Sequence, residues 1–308
     1  MGRCTSVADL SEIFCREQLV HVISNGENRG FLRYVGVMKI AHSTRVVYKN
    51  NPLAEVICQL RFERLPDFED QKIRSLCDSF FTLGYTNVSE ELSFGFQQQF
   101  GPDGQVIQAP VAIPKIRIHH CTSRDGIWRV SFCPEFIAIT CQKYAGWDGF
   151  FERVLAVVST FMDHCVDVNG TRLGLRYRDV IEREAIGLEG VPWHELIQPF
   201  LLGPVAPDAL SDMQVAQEAD VISFMSQTQL KIDDSLLLLQ SSVMSSIDGQ
   251  RQAFLIDADF FHENALGINL VSGPVLLADK LKKLHINAGA LFRRCIRERL
   301  HHALDPII

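Results

Sequence analysis

The sequence predicts an α+β protein of two similar halves, each running strand, helix, several strands, helix. Three observations carry that expectation. Short segments alternate apolar and polar residues with a period of two, the pattern of half-buried strands. Longer segments repeat apolar residues at steps of three and four, the pattern of helices lying on a core. The order of segments then recurs, and Leu60-Arg61-Phe62 in the first leading strand is echoed by Leu175-Arg176-Tyr177 in the second.

In the first half, a strand over 53–62 puts Val56, Cys58, Leu60 and Phe62 on one face. Glu55, Gln59 and Arg61 share the other, with Ile57 as its one apolar member. Asp67 is placed to cap a helix over 68–83, whose stripe is Ile73, Leu76, Cys77 and Phe80, and Gly84 stops it. Strands follow at 91–98, 115–121 and 128–141, the last two joined as a hairpin about Arg124-Asp125-Gly126. Pro134 interrupts the last strand and assigns it to an edge or a bulge, because proline cannot donate to a sheet ladder. A second helix over 147–165 carries Phe150, Phe151, Val154, Leu155, Val158, Phe161 and Met162 on its apolar face.

The second half opens with a strand over 171–181. Leu173, Leu175 and Tyr177 face one way; Arg172, Arg176 and Arg178 face the other. A short helix starts after Pro192, and strands follow at 221–232, 235–244 and 252–261, the last two turning at Asp248-Gly249. A long helix over 275–300 ends the chain, with Leu277, Leu281, Leu284, Ala288, Leu291 and Cys295 in one stripe. Residues 45–168 and 169–308 thus form the two halves, and 1–44 form an N-terminal extension that lacks a periodic element. The abrupt onset of pattern after Met38 sets the expected native start there. Each half buries one face of an antiparallel sheet under its helices. Joined edge to edge they make one long sheet related by a pseudo-twofold, a layout similar to the saddle of the TATA-binding-protein fold.

Composition narrows the function classes. The chain has 308 residues, 47% of them hydrophobic and 22% charged, which is globular rather than disordered. Its net charge of −7 gives no general attraction for a phosphate backbone, so nucleic acid is not the expected partner. The densest apolar runs, such as 154–158 and 236–239, fall far short of the roughly 20 residues that cross a bilayer. The apolar stretch near Ile13–Ile23 is broken by Arg16, Glu17 and Gln18, so it is not a secretory signal, and the expected location is the cytoplasm. Nine cysteines occur without a Cys-x-x-Cys pair, which reads as free thiols used as small hydrophobes. No cofactor and no metal is expected.

Several stretches are also similar in wording to a known family. Tyr48-Lys49-Asn50-Asn51-Pro52-Leu53-Ala54-Glu55-Val56 resembles the opening of a sporadically distributed, uncharacterised bacterial family. Leu173-Gly174-Leu175-Arg176-Tyr177-Arg178-Asp179-Val180-Ile181 resembles its central motif. Phe254-Leu255-Ile256-Asp257-Ala258-Asp259-Phe260 and the stretch from Leu284-His285 to Ala290-Leu291-Phe292 resemble its C-terminal motifs. The resemblance covers about 45–302. It implies no established activity and no catalytic residues. The family's patchy distribution implies an accessory locus, with defence among its roles.

The candidate binding surface is the polar face of the leading strands: Arg61, Arg172, Arg176 and Arg178, with Asp257 and Asp259 on a later strand. Guanidinium groups match carboxylates and phosphates in planar, two-point contacts. The same arginines also suit cross-strand pairing with Glu55, Glu63, Asp257 or Asp259. Internal pairing is expected for Arg176, external ligand or partner contact for Arg172 and Arg178. His119-His120-Cys121 puts only two metal-ligating side chains on one strand face, short of a closed zinc site. Asp257-x-Asp259 lacks a third acid or a phosphate loop, and adjacent His164-Cys165 on a helix do not face each other. The sequence therefore points to a non-enzymatic binding or assembly module, partnered by another protein or by itself. The alternatives are an enzyme with a dispersed site using Arg176, Asp257 and Asp259, and a nucleic-acid binder using the arginine strand.

Overall fold

The computed structural model describes residues 46–100, 106–165, 168–214, 217–245, 251–263 and 274–307, with 94–100, 106–115 and 274–275 described by backbone alone. The expected extension 1–44, the start at Met38 and the Asp248-Gly249 turn lie outside these residues. The first half supplies β1 (Val47–Tyr48), β2 (Leu53–Phe62), α1 (Asp70–Thr82), β3 (Asn87–Phe100), β4 (Val106–Thr122), β5 (Trp128–Cys133), β6 (Phe136–Cys141) and α2 (Trp147–His164). The second supplies β7 (Gly170–Glu182), short helices α3 (Trp193–Leu196), α4 (Pro199–Leu202) and α5 (Pro207–Asp212), and β8 (Phe224–Ile232). It continues with β9 (Ser235–Ser245), β10 (Gln252–Glu263), α6 (Pro274–Cys295), α7 (Glu298–Ala303) and β11 (Pro306–Ile307).

Nine strands form one antiparallel sheet in the order β3-β4-β5-β6-β2-β7-β10-β9-β8. The leading strands β2 and β7 lie side by side at its centre. On their outer sides β2 is flanked by β6 and β7 by β10. The pairing of β2 with β7 hides the two edges that separate halves would expose. A two-stranded ribbon, β1 with β11, ties the beginning of the described chain to its end.

Period-two burial follows from this layout. Along β2, Val56, Cys58, Leu60 and Phe62 are buried while Glu55, Ile57, Gln59 and Arg61 are half-buried. Along β7, Leu173, Leu175 and Tyr177 are buried while Arg172, Arg176 and Arg178 are half-buried. The buried strand face joins Leu76 and Phe80 of α1, Phe150, Val154 and Phe161 of α2, and Leu277, Leu281 and Leu284 of α6 in one core. On the opposite face Ala138, Leu255 and Phe261 are also buried, yet they lie outside that core.

Three local expectations change. Asp67 does not cap α1: Glu69 holds that position and makes no side-chain capping bond. The reason is Phe68, which packs on the core against Phe132 and so delays the helix. Gly84 does end α1, at φ +93, with its amide and that of Tyr85 returning to the carbonyls of Phe81 and Phe80. Pro134 marks neither an edge nor a bulge. It sits with Glu135 in the tight turn between β5 and β6, where Cys133 pairs with Phe136 and no ladder donor is needed. The terminal helix breaks at Ile296, which pairs with Ile197. Beside that bridge, the Gln198 amide donates to the Cys295 carbonyl and the Arg297 amide to the Leu196 carbonyl. These long-range bonds replace helical ones, so α7 starts afresh at Glu298. No helix among the described residues is long and apolar enough to cross a membrane.

Candidate functional site: the arginine–carboxylate face

The six candidate residues lie on one face of the three central strands. Register places Arg172 opposite Arg61, Arg176 opposite Ile57 and Arg178 opposite Glu55 across β2–β7. Across β7–β10 it places Arg176 opposite Asp259 and Arg178 opposite Asp257. Arg176 leans along the strand to its diagonal neighbour Asp257, Arg172 reaches past Gly174 to Asp259, and Arg178 meets Glu55 directly opposite. Arg176 makes a two-point contact with Asp257, with Nε to Oδ1 and Nη2 to Oδ2 both at 2.7 Å. Arg172 donates from Nη2 to Asp259 Oδ2 at 2.7 Å and from Nη1 to Gln59 Oε1 at 3.3 Å. Arg178 pairs with Glu55, and its Nε lies 3.3 Å from Asp257 Oδ2, close in charge but misaligned for a hydrogen bond. Arg61 donates to the same Gln59 oxygen at 2.8 Å.

Three guanidinium groups thus meet three carboxylates, Glu55, Asp257 and Asp259, and their formal charges cancel. Arg172 and Arg178 have internal partners just as Arg176 does, so external contact is not required to balance them. Arg61 and Arg176, equivalent by sequence, are not register neighbours; Arg172 faces Arg61 instead. Burial alone would lower the pKa of Arg176, but the bonds and charge of Asp257 outweigh it and hold the group above its ordinary value. Burial raises the carboxyl of Asp259 against the opposing pull of Arg172 and Arg176.

Gly174 explains how Arg172 fits. A Cβ there would stand 2.6 Å from Arg172 Nη1 and 3.3 Å from Asp259 Oδ1. The missing side chain gives the guanidinium its place beside Asp259, with its carbon 4.2 Å from the centre of the Phe261 ring. The space beside the arginine, visible in the Leu-Gly-Leu-Arg motif, is filled by the neighbouring arginine of the same strand.

The other candidates separate. His120 Nδ1 lies 2.8 Å from Ser131 Oγ, while His119 is buried against Phe132 with Glu90 3.9 Å away. Among the described residues, no group of three or more His, Cys, Asp or Glu is placed to hold a metal ion. His164 does not meet Cys165; its ring nitrogens contact Ser75 and Ser79 of α1 at 3.2 and 2.8 Å, clasping the two helices. Sequence reasoning missed Asp179, buried on the core face of β7 with its carboxyl pushed up to about 8 by burial and by the charge of Asp257. It also missed Arg183, which stacks 4.2 Å from the Trp193 ring centre and pairs with Glu218 at 2.5 Å. Period-two reading finds a strand's faces but not contacts between residues this distant in sequence. No family model matches this chain, and no curated protein matches it.

Proposed function

We propose that this protein is a binding or assembly module rather than a catalyst, and that its arginine–carboxylate face docks a protein, in the first instance a second copy of the chain. The observation that carries this reading is the mutual pairing of Arg172, Arg176 and Arg178 with Glu55, Asp257 and Asp259. A general base needs a carboxylate with room for a proton, whereas both oxygens of Asp257 are engaged by Arg176. A phosphate backbone needs surplus cations, whereas Arg172, Arg176 and Arg178 each already have a carboxylate partner. A balanced patch carrying both signs suits an isologous contact, in which each group meets its opposite across a twofold axis. Arg176 keeps 34% of its side chain exposed, so the network still presents polar surface. A cytoplasmic place of action belongs to the same reading.

Light scattering across a concentration series tests it. The wild-type chain should reach twice its monomer mass. Gln240→Arg adds a cation directly opposite Asp257 on the same face and leaves the patch with an excess positive charge, so it should weaken association about tenfold. A strict monomer, or equal association of the variant, would overturn docking of a second copy on this face.

A further inference from the structure

Helix α1 and strand β4 bring together two cysteines separated by 44 positions in sequence. Cys121 is fully buried in β4, and its sulfur lies 3.6 Å from that of Cys77 on α1. Of the seven described cysteines, six are buried and Cys77 alone is partly exposed. The pair therefore has one member that a small oxidant reaches and one that it reaches only through the first. We propose that Cys77 and Cys121 form a redox-active thiol pair, which a hydroperoxide converts to an intramolecular disulfide tying α1 to β4.

The electronic arrangement supports this division of labour. The Cys121 thiol hydrogen-bonds to the Cys77 sulfur, which draws the Cys77 pKa below its ordinary value against burial and the nearby charge of Asp78. The same bond and burial hold the Cys121 thiol in its protonated form. A thiolate with a neighbouring resolving thiol is the arrangement that oxidises reversibly. In the first step the Cys77 thiolate attacks the peroxide: an S–O bond forms, the O–O bond breaks, and the alkoxide or hydroxide leaves and takes up a proton. Cys77 becomes a sulfenic acid, and the peroxide is reduced by two electrons. In the second step the Cys121 sulfur attacks that of Cys77, the S–O bond breaks, and hydroxide leaves as water with the Cys121 proton. Two thiols and one hydroperoxide give one disulfide, one alcohol or water, and one further water. The sulfurs must close by about 1.5 Å to reach a disulfide bond length, a movement available to the partly exposed side chain of Cys77.

The test treats the full chain with hydrogen peroxide, blocks free thiols with a maleimide and maps the peptides by mass spectrometry. A linked Cys77–Cys121 peptide, about 2 Da below the sum of its parts and cleaved by dithiothreitol, is the expected product. Cys77→Ser should slow loss of the free Cys121 thiol at least about tenfold, because the accessible partner is gone. Cys121→Ala should leave a sulfenic acid at Cys77 that dimedone traps. Cys121 remaining fully maleimide-reactive after peroxide and unfolding, or Cys77 passing to sulfinic acid without the linkage, would overturn the proposal.

Discussion

Arg176→Met removes the guanidinium from the central pair while keeping much of the stem's packing. Asp257 is left with 3% of its side chain exposed and without either of its 2.7 Å bonds to Arg176. Deleting one partner of a buried ion pair costs about 3–5 kcal/mol, because the remaining charge is stranded. Two features reduce that figure here: Arg176 is 34% exposed, and Arg178 Nε remains 3.3 Å from Asp257. The expected loss is therefore about 2–3 kcal/mol. Urea unfolding at neutral pH, followed by circular dichroism, measures it. A cycle with Asp257→Asn should show coupling of about 1–2 kcal/mol between the two positions. A loss below about 0.5 kcal/mol, or strictly additive effects, would refute the pairing as a source of stability.

Three further perturbations probe other contacts. Leu175→Ala, at a fully buried site, should lose about 2–5 kcal/mol in the same unfolding assay; a loss under about 1 kcal/mol would mean the faces of β7 are exchanged. Gly174→Ala places a methyl 2.6 Å from Arg172 Nη1 and should lower stability by about 1–2 kcal/mol by displacing that group from Asp259; an unchanged midpoint would rule out the close fit. Asp179 has a folded-state pKa of about 8 against an ordinary 3.8, so the folded state holds the proton more tightly. Its contribution is full below about pH 4 and is lost as pH rises through about 8. Asp179→Asn should therefore match the wild type near pH 4 and exceed it by a few kcal/mol near pH 8; parallel stability curves would sink the assignment.

The leading strands are legible in the sequence because period two survives wherever one sheet face is buried, as in Val56-x-Cys58-x-Leu60-x-Phe62. The same alternation places Arg172, Arg176 and Arg178 together, and places Asp257 and Asp259 on a shared face. It does not supply their partners. Which carboxylate Arg176 chooses depends on a strand 81 positions away and on a diagonal lean that register alone does not give. The Asp67 cap fails because the packing of Phe68 outweighs a local hydrogen bond, and the final helix breaks because Ile296 finds a distant partner in Ile197. The Cys77–Cys121 contact is hidden for the same reason: it joins the stripe of one element to the alternation of another.

If the arginine–carboxylate face is where the protein assembles, Arg176 must lose access to small reagents when it does so. Phenylglyoxal labelling of arginines, compared between concentrated assembled protein and dilute monomer, reads this out. Labelling at Arg176 should be at least about threefold lower in the assembled form, with exposed Arg124 labelled equally in both. Equal labelling of Arg176 in the two forms would place the interface elsewhere and refute assembly through this face.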